Sequence, residues 1–327
     1  MRVSRRWWIV LALVGVALAL RLLARFPWSA TGTALMNMRM LPLGAALLVN
    51  LCSPVAKGWA WRLLLRPLAA TRWRTVQKAN LVGTAVNSVT VGVSGEVARV
   101  SLLARWDRVS IRAATLSVAW SRMVEGIGLA LFIVIAPLAF RLPRTLRGLQ
   151  LGAAIALLTV VALSRLPRWT RLIARLPHAL RASAIQLARM SLGTRLVLPT
   201  LLALVNWIVQ WATYDLVLRA AGLGLRPAAS LTALLAVNLG SLGRLTPGNL
   251  GVTQAAMVGA LLPFGVSADR AVAAGFALQA IQVLPILGLA GALVGWSGLR
   301  AAADGADGQM GGAAVEASLS GDERRSA

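Results

Sequence analysis

Three short stretches put ionisable or turn-forming residues where the surrounding chain is apolar. In "SRMVEGIGLALF", Ser121 to Phe132, Arg122 and Glu125 stand three residues apart near the middle of an apolar run. On a helix that spacing brings both side chains to one face. A charge at the centre of a bilayer costs at least about 2.5 kcal/mol on insertion scales, so both should face the protein interior and be paired. The pair is either a structural clamp within one helix or a charge pair facing a transport cavity. In "VSGEVAR", Val93 to Arg99, Ser94 can cap a helix that starts at Gly95. Glu96 then lies in the first turn, where negative charge is favoured, and Arg99 follows one turn later. This is either a capped helix with a local ion pair or a gate whose Glu96 and Arg99 meet a headgroup.

The third stretch is "GRLTPGNLGVTQ", Gly243 to Gln254. Thr246-Pro247-Gly248-Asn249 fits a type II turn, with proline fixing φ at the second position and glycine supplying positive φ at the third. Asn249 can then cap a short helix running to Leu262, with Arg244 just before the turn. In lipid, such backbone is tolerated only inside protein or around a wet cavity. Arg244, Thr246, Gly248, Asn249 and the positive end of that helix would together suit an anion such as a lipid phosphate. The plainer reading is a wide extracellular loop with Arg244 in water.

The elements that must carry these residues follow from composition. The chain of 327 residues is 58% hydrophobic, with a mean hydropathy of +0.73, too apolar for a soluble domain. Its net charge of +24 sits in short basic segments between apolar runs. That is a pattern of membrane topology signals and excludes nucleic acid as the expected partner. One cysteine, Cys52, and one histidine, His178, leave no intramolecular disulfide, no metal cluster and no Ser-His or Cys-His constellation. The expectation is therefore a protein without metal or cofactor and without enzymatic activity.

Apolar spans are expected at 7–26, 41–60, 113–136, 148–164, 196–218 and 270–297, each near the length that crosses about 30 Å of hydrocarbon. Two further apolar regions, 79–104 and 229–262, are broken by Gly, Ser, Pro and charge. Arg2, Arg5 and Arg6 put the N-terminus in the cytoplasm, and the groups Arg62–Lys78 and Arg165–Arg195 fit the same side. Keeping Arg99, Arg105, Arg108 and Arg112 inside requires 79–104 to dip in and return. The three arginines of Arg141–Arg147 count against the scheme, which puts them outside. The expected fold is an all-α polytopic membrane protein: about six full transmembrane helices plus two re-entrant hairpins, eight apolar segments arranged as an inverted repeat. "AVNSVTVGVSGE" from Ala85 and "AVNLGSLGRLTPGN" from Ala236 echo one another weakly. Inverted repeats with broken helices mark many secondary transporters.

Residues 1–300 form the expected transmembrane domain, and 301–327 a disordered cytoplasmic tail rich in Gly, Ala, Ser and acids. Arg165–Arg181 is either a basic interfacial helix or a plain cytoplasmic loop. Asn206, Gln210, Asp215, Gln279 and Gln282 suit interhelical hydrogen bonds better than a substrate role. Trp7, Trp8, Trp28 and Trp296 read as interfacial anchors.

"NSVTVGVSGEVARVSLL", "SRMVEGIGLALF" and "RLTPGNLGVTQAAMVGALL", in this order, resemble the lysylphosphatidylglycerol synthase transmembrane region, a flippase-like integral membrane family. The resemblance covers about 5–300. It implies a polytopic domain that moves lipids or lipid-linked molecules between leaflets. The synthases carry a soluble aminoacyl-transferase domain after it; here a short tail follows Arg300, so lysyl transfer is not implied. The chain departs from the family pattern at Val91–Ser94, where Pro-Gly-Arg is common, at Asn249, where Gly is usual, and at Gln254, where Glu is usual. These readings combine into one expectation: a flippase-like protein of the bacterial plasma membrane, both termini cytoplasmic, moving an anionic phospholipid or lipid-linked glycan precursor. Arg244 and the turn hold the phosphate, Arg99 or Arg122 adds a contact, and Glu96, Glu125 and Gln254 serve gating or charge coupling. The alternative is a non-transporting accessory or scaffold of an envelope-lipid synthesis or glycosylation system, with a membrane protein partner.

Overall fold

A computed structural model of the chain describes residues 24, 26–138, 144–165, 196–243, 246–293 and 295. All secondary structure among them is helical. The helices are α1 (Trp28–Met36), α2 (Met40–Leu65), α3 (Trp73–Val89), α4 (Ser94–Trp106), α5 (Ile111–Ile135), α6 (Arg144–Arg165), α7 (Val197–Ala220), α8 (Pro227–Gly240), α9 (Val252–Leu261) and α10 (Ala268–Leu293).

Four helices are long and apolar enough to cross a membrane: α2, α5 with its 3-10 extension to Leu138, α7 and α10. They match the spans expected at 41–60, 113–136, 196–218 and 270–297. At 26 residues, α2 and α10 are each about 39 Å long, more than the hydrocarbon thickness. Their outward faces are apolar: Leu198, Leu201, Val205 and Ile208 recur at helical spacing on α7, and Leu41, Leu48 and Val55 on α2, all exposed. In water such stripes would be a liability; against lipid they are the required surface. The protein is an integral membrane protein. The span expected at 148–164 falls on α6, whose described apolar part, Arg147–Thr159, is shorter than a crossing helix. Residues 7–23, Arg141, the Arg165–Arg181 segment apart from its first residue, and the tail 301–327 lie outside the described residues.

The two broken regions form helical pairs. α3 and α4 pack together across the turn 90–93, and α8 packs on α9 across 241–251. Close approach in the first pair depends on two glycines facing one another. A β-carbon on Gly95 would run into the Gly83 carbonyl and the Asn87 carboxamide; one on Gly83 would lie 2.7 Å from the Gly95 carbonyl. Pro54, inside α2, fastens this hairpin: its carbonyl accepts from Gln77 Nε2 at 3.2 Å and Asn80 Nδ2 at 3.0 Å, both on α3.

The bases of the two hairpins lie at opposite ends of α2. The α3–α4 base follows the end of α2 and is closed by Asp107, which accepts from the Arg72 amide and Thr75 Oγ1, each at 3.0 Å. The α8–α9 base lies near the start of α2. There the Arg39 amide donates to the Ala220 carbonyl at 2.8 Å, and Arg270 donates to the carbonyls of Ala221 and Gly222 at 3.1 and 3.4 Å.

Candidate functional site

The α3–α4 tip is held by charge and by one carboxamide. Asn87 on α3 accepts the Gly95 amide at 2.9 Å and so caps α4 from the neighbouring helix. The expected cap, Ser94, is instead the first helical residue and donates to the Val91 carbonyl at 3.0 Å. The hairpin supplies a better-placed acceptor than the residue preceding Gly95. Glu96, in the first turn of α4, takes a charged hydrogen bond from Arg122 on α5. Arg122 also holds Glu125 one turn away, Nη1 to Oε2 at 2.9 Å. One guanidinium thus clamps two carboxylates from two helices, a use to which its forked donors are suited.

Exposure orders this cluster. The Arg122 side chain is 40% exposed, whereas Glu96 and Glu125 are at 15% and 16%. Arg122 is the most exposed of the three. Arg99 behaves otherwise: it is buried, donates to Thr84 Oγ1 at 3.2 Å, and stacks its cation over Trp61 at 5.6 Å. Gly83 leaves room for its aliphatic stem. Arg99 therefore braces the hairpin, and Arg122 is the more exposed of the two cations. Lys57 on α2, Arg122 and Arg99 all act electrostatically on Glu125. Lys57, Ser121, Glu125 and Asn206 line a cavity of about 10 Å³, the lower limit for one water and far below a lipid headgroup.

The α8–α9 tip is held by neutral groups. The Asn249 amide donates to the Thr246 carbonyl at 3.0 Å, and Gly248 has φ of 58°, as the expected turn requires. The helix does not start at Asn249. That residue is itself left-handed, with φ of 57°, and α9 begins at Val252 after Gly251. Gln254 does the capping, taking the Gly251 amide on Oε1 at 2.8 Å. Its Nε2 donates to Gln279 Oε1 on α10 at 2.8 Å, and Gln279 Nε2 donates to the Gly248 carbonyl. Each amide orientation is fixed by the next partner in this relay. Thr246 Oγ1 closes the loop onto the Leu250 carbonyl at 2.8 Å. Arg244 lies outside the described residues.

The two tips meet. A β-carbon on Gly248 would sit 2.7 Å from the Ser88 carbonyl, near the end of α3. Gln279, which holds the Gly248 carbonyl, is eleven residues into α10, about 17 Å along an axis of about 39 Å. Arg122, which holds Glu96, is likewise eleven residues into α5. Each tip thus reaches the middle of a long helix. Between the long helices, Ser53 Oγ donates to Asn206 Oδ1 at 2.7 Å, Gln210 Nε2 to Ser53 at 2.9 Å, and Gln282 Nε2 to Gln210 Oε1 at 3.0 Å. These are the interhelical bonds expected for Asn206, Gln210, Gln279 and Gln282. Asp215 pairs with Arg219 at 2.7 Å and accepts from Ser230 at 3.0 Å.

Of the expected site residues, Glu96, Arg122 and Glu125 come together in one cluster with Arg99 beside it; Thr246, Gly248, Asn249 and Gln254 form the other tip. Asn87, Ser88, Lys57 and Ser53 were not expected. Lys57 had a signal, an ammonium inside an apolar run, masked by the basic group that starts at Arg62. Among the described residues no three His, Cys, Asp or Glu side chains lie close enough to hold a metal ion.

Residues 7–290 match the family of the lysylphosphatidylglycerol synthase TM region. The chain belongs to this family. Membership sets it among membrane proteins of lipid metabolism or transport. A search of curated proteins found no match to the chain.

Proposed function

We propose that the protein is a lipid translocator of the bacterial plasma membrane, moving an anionic phospholipid or lipid-linked precursor between leaflets. The observation that carries this reading is the meeting of the two hairpin tips, Ser88 against Gly248, at mid-helix depth from opposite ends of α2. In this reading both hairpins are re-entrant. The order α2, α3–α4, α5 is repeated upside down as α7, α8–α9, α10, an inverted repeat of the kind whose midplane interface carries substrate. Backbone that turns at membrane depth is stable only where protein or a polar path surrounds it. The mid-helix charges and carboxamides supply such surroundings. The headgroup follows the seam between the tips, with Arg122 and Arg244, two residues before Thr246, as its phosphate contacts. Both termini are cytoplasmic. The cavity of about 10 Å³ at Lys57 and Glu125 belongs to a closed state, and passage requires the tips to part.

Purified protein reconstituted into vesicles with an acyl-labelled phosphatidylglycerol tests this. The expected result is label movement between leaflets faster than in protein-free vesicles, reduced in Arg244→Ala. A rate equal to protein-free vesicles overturns the reading and favours the accessory role; an undiminished rate in Arg244→Ala overturns the assignment of that arginine.

A further inference from the structure

We infer that the outer sides of the two hairpin tips face hydrocarbon, and that a lipid's acyl chains stay outside the protein against them while its headgroup passes between the tips. This deepens the translocator reading and rests on its re-entrant hairpins.

The two ends of each hairpin expose different chemistry. The bases expose charge: Arg66, Arg72, Arg105 and Arg108 on the first hairpin, Arg219, Arg226 and Arg270 on the second. The tips expose branched aliphatic side chains. Val89, Val91 and Val93 on the first and Leu239, Leu242 and Leu250 on the second are each between 49% and 78% exposed. No described residue of 89–93 or 239–251 is charged. Turns in water are dominated by Gly, Pro, Asn, Asp and Ser. Here Gly92, Pro247, Gly248 and Asn249 shape the turns, and the side chains set between them are those of a lipid-facing surface. Arginine at the bases and aliphatic groups at the tips are the order expected where the bases meet headgroups and the tips meet chains.

A turn is kept out of hydrocarbon by unpaired backbone groups. Both turns hold partners for theirs. The Val91 carbonyl accepts from Ser94 Oγ, and the Val93 carbonyl from the Glu96 amide, each at 3.0 Å. On the second tip the carbonyls of Thr246, Pro247, Gly248 and Leu250 all accept, from the amides of Asn249 and Leu250, from Gln279 and from Thr246 Oγ1. Two of these six carbonyls are taken by hydroxyls of the turns themselves, so that much of the backbone needs no water. The seam is narrow and its flanks are apolar. Ser88, which meets Gly248, is followed by Val89, and Leu250 stands two residues beyond Gly248. A headgroup in the seam therefore has hydrocarbon beside it, and its chains need no cavity of their own.

The test places nitroxide labels on single cysteines in a Cys52→Ser background. Val91→Cys and Leu242→Cys report the tips, and Arg66→Cys and Arg226→Cys the bases. In vesicles of phosphatidylglycerol and phosphatidylcholine, collisions with oxygen, which concentrates in hydrocarbon, are compared with collisions with a water-soluble nickel chelate. Tip labels should meet oxygen more often and nickel less often than base labels; Val93→Cys and Leu250→Cys repeat the measurement if either tip variant fails to fold. Nickel contact at the tips equal to that at the bases overturns the hydrocarbon-facing surface. In wild type, labelled phosphatidylglycerol whose second chain ends in a bulky aromatic group should move at about the rate of its unmodified counterpart. A fall of about tenfold or more would show that the chains enter the protein and overturn their route. Wet tips with lipid still moving would leave the translocator reading standing. Dry tips with no movement of either lipid would keep the surface and overturn the translocator reading together with the chain route.

Discussion

The two hairpin tips are built from different chemistry. The α3–α4 tip is tied to its long helix by ionised groups, Glu96 to Arg122, with Arg122 partly exposed. The α8–α9 tip is tied to its own by buried neutral amides, Gln254 to Gln279 and Gln279 to Gly248. A charged tie can be exchanged for another charged group at little loss. An amide relay with fixed donors and acceptors has no such substitute, since an anion cannot donate to Gln279 Oε1. Under the translocator reading the contrast is a division of labour: the first tip responds to an anionic ligand, and the second is the surface against which it opens.

Four substitutions break or sharpen this contrast. The largest effect is expected for Gly95→Val, because even a β-carbon meets the Gly83 backbone, which cannot move aside as a side chain can. It should cost about 3 kcal/mol or more and remove the folded protein from detergent extracts, read by size-exclusion profile. Gly248→Ala adds a β-carbon 2.7 Å from the Ser88 carbonyl at a left-handed position. A loss of about 2 kcal/mol is expected, seen as a lower unfolding temperature in detergent. Gln254→Leu leaves the Gly251 amide and Gln279 Oε1 without their partner. About 1–3 kcal/mol should be lost, and added anionic lipid should not restore it. The smallest effect is Asn206→Ala, which removes the acceptor of Ser53 Oγ, at about 0.6 kcal/mol, read as a small fall in unfolding temperature in detergent.

Glu96→Gln sharpens the contrast from the other side. It removes the interhelical charge pair but leaves Arg122 with Glu125. Anionic lipid should stabilise this variant more than wild type, since a phosphate replaces the lost carboxylate. Equal stabilisation of both would show that Arg122 is not where the lipid binds.

The long helices were legible because a run of about 20 apolar residues has one stable use. The breaks were legible too: Gly92, Ser94 and Gly95 in the first region and Pro247-Gly248 in the second are turn-forming residues clustered within a few positions. The Arg122–Glu125 pair followed from spacing alone. The remaining ties are tertiary. Glu96 and Arg122 are far apart in sequence, and only the packing of α4 on α5 joins them. Asn87 took the cap expected of Ser94 because a hairpin brings an acceptor from the other strand of the turn. Asn249 looked like a cap from its type, but two consecutive left-handed residues carry the chain past it to Gly251. Gln254, where the family usually has Glu, is explained by Gln279, whose partnership no local pattern encodes.

The central claim is that lipid passes where the two tips meet. In a Cys52→Ser background, Ser88→Cys with Asn249→Cys places one thiol on each tip, and a short reversible cross-linker can join them. Joined tips should stop the movement of labelled phosphatidylglycerol in vesicles, and reductant should restore it. A cross-linked protein that moves lipid at the uncross-linked rate would contradict the account.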